Sequence, residues 1–252
     1  MALAAFFAGG ALAQTAGLTI TAANPDGYYM GGIYTNPYTF SVTQNGTTTY
    51  PVLLSCDDFY NDVYLGESWT AYETTLSSIE SETSINNTLY FSSFTGGTAQ
   101  TNPSVQAQIQ GYEEVAYLAA KLFYDNSANN YGTAAAGQLS YAIWDIFDPE
   151  LLANNTQGLS LADLNAAKAD VLEAQNYVAS GGVVGNAIFY TPLCGSTVCK
   201  PSNTSAPQEF VGVLSNNQGL PMPEPQMLAL LLVDLGVVLA ALLFWRRRSA
   251  VR

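Results

Sequence analysis

The 252-residue sequence contains 20 acidic residues, seven Lys and Arg, and no histidine, which gives a formal net charge of −13. All four arginines lie in the last seven residues, so the first 245 residues combine three lysines with all 20 acids, a net charge of −17. Nucleic-acid binding through phosphate neutralisation requires clustered Lys and Arg, and we expect no nucleic-acid partner. The absence of histidine excludes Ser-His-Asp and Cys-His catalytic sets and zinc sites with histidine ligands.

Residues 2–13 form a short apolar stretch that ends in Ala-Leu-Ala before Gln14. Such a stretch with a small-x-small site is typical of a secretory signal peptide, and the missing basic n-region is consistent with a start further upstream. A buried N-terminal helix is the alternative, which Gly9-Gly10 disfavours. We therefore predict a signal peptide at 1–13.

Residues 14–103 are predicted to be mainly β-structure. Short runs rich in Tyr, Thr, Val and Ile are typical of strands, and they occupy 28–30, 33–35, 38–42 and 47–54. Asn45-Gly46, between the last two runs, predicts a hairpin turn. Tyr64, Trp69, Tyr72 and Leu76 continue the pattern, and 77–102 is a looser region rich in Ser, Thr and Gly.

Cys56, one of three cysteines, follows the last of these strands and precedes Asp57 and Asp58. The two carboxylates should raise the pKa of its thiol, which argues against a thiolate nucleophile, although a reactive thiol is the alternative. With Asp62 and Glu67 they make an acidic cluster, for which we expect a solvated loop. A Ca²⁺ site is the alternative, but the spacing fits no EF-hand loop, and we expect no cofactor and no metal.

Three amphipathic helices are predicted to follow, at 105–123, 139–147 and 161–178. Ser160 and Asp163 form a capping box at the start of the third helix. We expect all three apolar stripes to face the core. The stripe of the third helix consists of Leu161, Leu164, Ala167, Val171, Leu172 and Val178.

Cys56 and the second of these helices together carry a family resemblance. A cysteine after a strand, followed far downstream by a helix of the form Gln-x-Ala-Ile-Trp, is typical of the thioester domains of bacterial surface adhesins. Ala142-Ile143-Trp144 is similar to that pattern, but Ser140 stands in the Gln position and Gln138 lies two positions early. In the family, Cys and Gln are joined into a reactive acyl group, which Ser cannot form. The resemblance implies an inactive relative of that fold, with a covalently binding adhesin as the alternative.

The chain returns to strand-like runs at 183–190 and 209–214. Between them Cys194 and Cys199 bracket four residues, and in an oxidising compartment this spacing favours a disulfide loop. Metal binding is the rival, for which two thiols are too few. For the extracytoplasmic domain, 14–214, the order indicates an α+β fold: a β-rich N-terminal part, a block of about three helices and a return to strands.

Residues 215–222 are predicted to be a linker, and 223–252 a membrane sorting signal. Pro223-Glu224-Pro225 precedes the stretch Met227 to Trp245, which is apolar apart from Asp234. Its 19 residues suffice for a single C-terminal transmembrane helix. The basic residues after it would hold the tail in the cytoplasm, and they are Arg246, Arg247 and Arg248.

This order of triplet, span and basic tail resembles the PEP-CTERM sorting signal of Gram-negative bacteria. The resemblance implies export through the inner membrane, an inner-membrane-anchored precursor, and processing by an exosortase-type enzyme. Pro223, Glu224 and Pro225 would then be recognition residues, and the processed protein would lie at the outer surface or outside the cell.

No catalytic set lies between these two signals, and we therefore expect a non-enzymatic cell-envelope or extracellular-matrix protein with a binding or structural role. Extracellular polysaccharide or other matrix proteins are the expected partners of the domain. A secreted carbohydrate-active enzyme is a further alternative, because two carboxylates suffice for glycoside hydrolysis. The candidate acids are Glu113, Glu114, Asp145 and Asp148.

Overall fold

The computed structural model describes residues 14–23, 29–35, 37–82, 85–92, 104–125, 131–184, 186–199 and 206–213. The predicted signal peptide, linker, sorting triplet, membrane span and arginine tail lie outside these residues. The chain divides into two units, Met1–Leu214 and Ser215–Arg252, and all described residues belong to the first. Within the described residues, no helix is both long and apolar enough to cross a membrane.

The described residues contain nine strands, six α-helices and one short 3-10 helix, Ile85–Asn87. The strands are β1 (Gln14–Ala23), β2 (Tyr29–Met30), β3 (Ile33–Tyr34), β4 (Tyr38–Gln44), β5 (Thr47–Cys56), β6 (Ser68–Thr75), β7 (Ala187–Cys194), β8 (Thr197–Val198) and β9 (Phe210–Val213). The helices are α1 (Leu76–Glu80), α2 (Leu89–Ser92), α3 (Val105–Asp125), α4 (Ala134–Phe147), α5 (Glu150–Ala153) and α6 (Leu161–Ala179).

Six of the strands form an antiparallel sheet that closes on itself. Their order is β6-β1-β4-β5-β9-β7, and β7 pairs back with β6, where Pro192 lies opposite Ala71. Short β8 extends β7 as a hairpin, and β2 and β3 form a separate two-stranded sheet. The fold is therefore α+β, as predicted, with a closed sheet as its β part.

Alternate residues of a strand point to opposite sides, and this alternation divides the core in two. In β7, Ile188 and Tyr190 pack with Phe210 in the cluster inside the closed sheet, whereas Ala187 and Phe189 pack with the helices. The inner cluster consists of Ala16, Leu18, Ile20, Phe40, Val42, Leu54, Cys56, Ala71, Ile188, Tyr190 and Phe210.

The helices form a layer on the outer face of β5, β9 and β7. The Tyr112 ring of α3 lies 4.8 Å from Phe189 of β7 and 4.9 Å from Phe147 of α4, measured between centroids. Phe147 in turn stacks on Tyr90 of α2 at 3.9 Å. These aromatic contacts fix α2, α3 and α4 against the sheet.

The three predicted helices are confirmed as α3, α4 and α6, and Ser160 caps α6 by accepting a hydrogen bond from the Asp163 backbone N–H at 3.2 Å. The predicted hairpin turn is also confirmed, because Asn45 and Gly46 join β4 to β5 with φ angles of 49° and 77°. The structure adds short α1, α2 and α5, of which α2 lies wholly in the region 77–102 that is rich in Ser, Thr and Gly.

The prediction that the whole apolar stripe of α6 faces the core is wrong. Leu161 and Leu172 are exposed, and the buried residues of α6 are Ala167 and Ala174. Small side chains at these two positions allow α6 to pack closely on α4, with which it makes its main contacts. α6 therefore packs on the other helices through a narrow face centred on its two buried alanines.

Candidate functional site

The candidate site lies where β5 ends, at Cys56, Asp57 and Asp58. Cys56 points into the closed sheet, and Asp57 follows it on the side of the helices. The Asp57 backbone N–H donates to the carbonyl oxygen of Glu209 at 3.3 Å, just beyond the β5–β9 ladder. Asp57 and Asp58 are fully buried, so the predicted solvated loop is wrong for these two residues, although Asp62 is exposed.

The thiol of Cys56 is enclosed by the backbone of Asp58. It donates to the Asp58 carbonyl oxygen at 2.9 Å, and the Asp58 N–H donates to the sulfur at 3.3 Å. Burial, and then the charges of Asp58 and Asp57, raise the pKa of Cys56. The predicted direction is thus correct, but burial is the larger cause, and the thiol stays protonated.

The carboxyl group of Asp58 folds the loop after β5 back on itself. It accepts from the Tyr60 backbone N–H at 2.8 Å, from the Asn61 amide at 2.5 Å and from the Tyr90 hydroxyl at 3.4 Å. Burial outweighs these donors and raises the pKa of Asp58 to about 6. The loop is therefore fixed by hydrogen bonds to a buried carboxyl group.

Glu209, the residue before β9, accepts three hydrogen bonds at the seam between sheet and helices. The donors are the Leu89 backbone N–H at 2.9 Å, the Tyr112 hydroxyl at 2.9 Å and the Thr191 hydroxyl. Glu209 is fully buried, and this burial raises its pKa to about 7 despite the three donors. Its carboxyl group thus joins α2, α3 and β7 at one point.

Asp57 differs from Glu209 because, among the described residues, no donor reaches either of its carboxyl oxygens. Burial, followed by the charges of Glu209 and Asp58, raises the pKa of Asp57 well above its usual range. Neighbouring buried carboxyl groups cannot both ionise easily, and within the described part of the chain neither forms an ion pair with Lys or Arg. Since Glu209 holds the three donors, Asp57 is the group that retains the proton, and it can donate that proton to Glu209.

Ser140 and Gln138 both lie on α4. They are the residues at and near the position where a thioester with Cys56 would require a glutamine. The Ser140 hydroxyl donates to the Thr35 carbonyl oxygen and so ties α4 to the segment before β4. The Gln138 amide donates to Asp163 of α6 at 2.9 Å. Both side chains are therefore engaged away from the thiol of Cys56.

The tryptophan of the same motif connects the two halves of the resemblance. Trp144 Nε1 donates to the Cys56 carbonyl oxygen at 3.0 Å, and its ring lies 5.5 Å from Phe59 and 5.0 Å from Tyr141. The structure thus brings together the strand end and the helix that the sequence motifs singled out, but without an acyl partner for the thiol.

The other sequence-predicted site residues are the disulfide cysteines and the candidate hydrolase acids. Cys194 and Cys199 form a disulfide with 4.9 Å between their Cα atoms. The candidate hydrolase acids Glu114 and Asp145 accept hydrogen bonds from the Gln110 amide at 2.7 Å and the Leu152 N–H at 2.9 Å. Among the described residues, no group of three or more metal-ligating side chains could hold a metal ion.

Sequence reasoning missed Glu209, which it treated only as the first residue of a strand-like run. A signal was present, since Glu209 is a lone acid directly before the apolar run Phe-Val-Gly-Val. A charged residue so close to a buried strand requires hydrogen-bond partners. Those partners, Tyr112 and Thr191, are distant in sequence and are revealed only by the fold.

No protein-family model matches the sequence, and neither does any curated protein. Two solved structures are similar to it. The N-terminal domain of the Streptococcus pyogenes pilus tip adhesin Cpa has a TM-score of 0.41 at 10% identity, over 80% of this chain and 93% of that chain. The N-terminal thioester domain of the fibronectin-binding protein SfbI from Streptococcus pyogenes has a TM-score of 0.37 at 9% identity, over 77% and 96%. At these scores the likeness is coarse.

Proposed function

We propose that the chain is an exported cell-envelope or extracellular-matrix protein whose folded domain acts by non-covalent binding or as a structural element, without catalysis. One observation carries the proposal for the domain. The Cys56 thiol is buried and enclosed by the Asp58 backbone, and Ser140 replaces the glutamine with which a thioester would form.

The alternative, a covalently binding adhesin, requires an acyl group that a partner amine can reach. Gln138 is the nearest glutamine to the motif position, and its amide is bound to Asp163 on α6. The intact mass of the native protein tests this point, because thioester formation removes one ammonia. A mass that retains this ammonia agrees with the proposal.

The proposal for export rests on the segment 223–252. Pro223-Glu224-Pro225 contains two prolines, and proline disfavours helix for itself and for the residue before it, which suits recognition by a processing enzyme. An apolar span and Arg246-Arg247-Arg248 follow, in the order of the PEP-CTERM signal. The proposed partner is an exosortase-type enzyme, and the proposed location is the inner membrane for the precursor and the outer surface or exterior after processing.

Replacing Pro223, Glu224 and Pro225 together with alanine should leave the membrane segment uncleaved. The full-length precursor should then accumulate in the inner-membrane fraction, because the processing enzyme loses its recognition segment. Mass measurement of the protein from each cell fraction detects the change.

The matched control is a triple alanine replacement of Asn216, Asn217 and Gln218 in the predicted linker, which should mature normally. Normal maturation of the Pro223-Glu224-Pro225 variant would contradict the sorting proposal. It would leave the account of the folded domain unaffected.

A further inference from the structure

Two tyrosine rings meet on the hairpin formed by β2 and β3. Tyr29 and Tyr34 lie directly opposite each other in the antiparallel pairing of these strands. The side chains of such a cross-strand pair share one face of the hairpin, with their Cβ atoms about 4.5–5.5 Å apart. The ring centroids of this pair are 4.2 Å apart, and the ring planes make an angle of 60°. The edge of one ring therefore contacts the other ring.

The backbone and α4 hold the two rings in this arrangement. The turn between the strands consists of Gly31 and Gly32, whose φ angles of 57° and 77–81° range favour glycine, at 57° and 81° respectively. The Tyr141 hydroxyl of α4 donates to the Met30 carbonyl oxygen at 2.9 Å. A Cβ at Gly31 would lie 2.5 Å from the same hydroxyl, so the hairpin fits closely on α4.

This pair is accessible from solvent, whereas a second close pair of tyrosines is not. Tyr29 is 59% exposed, and Tyr34 is half-buried. The rings of Tyr117 and Tyr177 also lie close together, with 4.5 Å between their centroids. Tyr117, however, is buried, and its hydroxyl donates to Glu173 at 2.7 Å. A reagent in solution therefore reaches the first pair more easily than the second.

Two phenol rings in contact can be joined by oxidation. Removal of one hydrogen atom from each hydroxyl group gives two phenoxyl radicals. These radicals form a carbon–carbon bond between ring positions next to the hydroxyl groups, and the hydrogens at those positions move to the oxygens. The product, dityrosine, has lost one hydrogen per residue. Hydrogen peroxide, acting through a haem peroxidase, accepts both hydrogens and is reduced to two molecules of water.

We propose that Tyr29 and Tyr34 form a site of oxidative cross-linking, at which hydrogen peroxide and a haem peroxidase join the two rings as dityrosine. The bond forms within one chain, because the two rings are already in contact, whereas coupling between chains requires two molecules to meet. It closes the β2–β3 hairpin covalently on the surface of α4. The inference goes beyond the binding or structural role proposed above and does not depend on it.

A methionine between the two tyrosines provides a direct test. Cyanogen bromide cleaves the chain after Met30, and the fragment that ends there contains only the tyrosines Tyr28 and Tyr29. The full-length protein in detergent is treated with hydrogen peroxide and a haem peroxidase, oxidised methionine is reduced, and the chain is cleaved. The fragments on either side of Met30 should stay joined, with a mass two hydrogens below their sum and with the fluorescence of dityrosine.

Tyr29→Phe and Tyr34→Phe keep the rings but remove the hydroxyl groups that form the radicals. Each variant should lower the yield of joined fragments by at least about tenfold, because the proximity of the pair is lost to the reaction. The matched control is Tyr177→Phe, which removes a tyrosine from the second pair and should leave the yield unchanged. Absence of joined fragments from the unaltered protein, an undiminished yield in either hairpin variant, or joined fragments only in covalent dimers would each overturn the proposal.

Discussion

Replacing Glu209 with leucine should lower the free energy of unfolding by about 3–5 kcal/mol, because three buried donors lose their acceptor at once. Those donors are the Leu89 N–H and the hydroxyls of Tyr112 and Thr191, and they belong to α2, α3 and β7. The side chain of leucine is similar in size to that of glutamate. The decrease in the free energy of unfolding therefore comes from the missing hydrogen bonds and not from a cavity.

Two further variants make this prediction specific. Glu209→Gln can retain a carbonyl oxygen at the position of Oε2, which accepts from Leu89 and Thr191, and loses only the acceptor of the Tyr112 hydroxyl at Oε1. Its loss of stability should therefore be smaller, about 1–2 kcal/mol. Glu80→Leu places the same leucine at an exposed position of α1 and should change stability by less than about 0.5 kcal/mol. Urea titration followed by tryptophan fluorescence measures all three, and equal stability of Glu209→Leu and the unaltered protein would contradict the assigned network.

The stability of the domain should decrease as the pH rises from about 4 to 8, which follows from the buried carboxyl groups. Their pKa values are raised from 3.8 to about 6 for Asp58 and from 4.5 to about 7 for Glu209, and that of Asp57 is raised well above its usual range. In this window the folded state binds more protons than the unfolded state. The contribution of these carboxyl groups to folding stability is therefore complete below their pKa values in the unfolded state. It is lost as the pH rises through their pKa values in the folded state.

Asp57→Asn isolates the contribution of the carboxyl pair. The amide keeps the shape, can donate to Glu209 and has no proton to lose, so the decrease in stability between pH 5 and 8 should be smaller by at least about 1–2 kcal/mol. Asp62→Asn is the matched control, since it makes the same substitution at an exposed residue and should leave the slope nearly unchanged. Urea midpoints at a series of pH values measure the slope, and equal slopes for Asp57→Asn and the unaltered protein would show that the pair does not share a proton.

The elements that the sequence predicted well are those with a local signal. Asn45-Gly46 and the capping box of Ser160 and Asp163 act over a few residues, and both are present in the structure. The short helix α2 has no such signal. It is held by contacts of its first residues with Glu209 and Tyr112, which are distant in the chain.

Part of the candidate site was also predictable, because a local motif marks some of its residues. Cys56 and Trp144 were singled out by motif, and the structure joins them through one hydrogen bond. The burial of Asp57 could not be predicted from its neighbours, because an acidic run is ordinarily solvated. It is buried because β9 places Glu209 beside it, a residue 152 positions later in the chain.

The state of Cys56 in the native protein decides between a free, buried thiol and a thioester. The native protein is purified without reductant, and its intact mass is measured by mass spectrometry. The measurement is repeated after alkylation of the folded protein and after alkylation of the denatured protein. A free, buried Cys56 predicts a mass that is lower than that of the fully reduced chain by two hydrogens, for the Cys194–Cys199 disulfide, and by nothing more at Cys56. Cys56 should be alkylated only after denaturation. A mass lower by a further ammonia, which treatment with methylamine raises by one methylamine as the acyl group leaves the thiol, would show a thioester and contradict the non-covalent role.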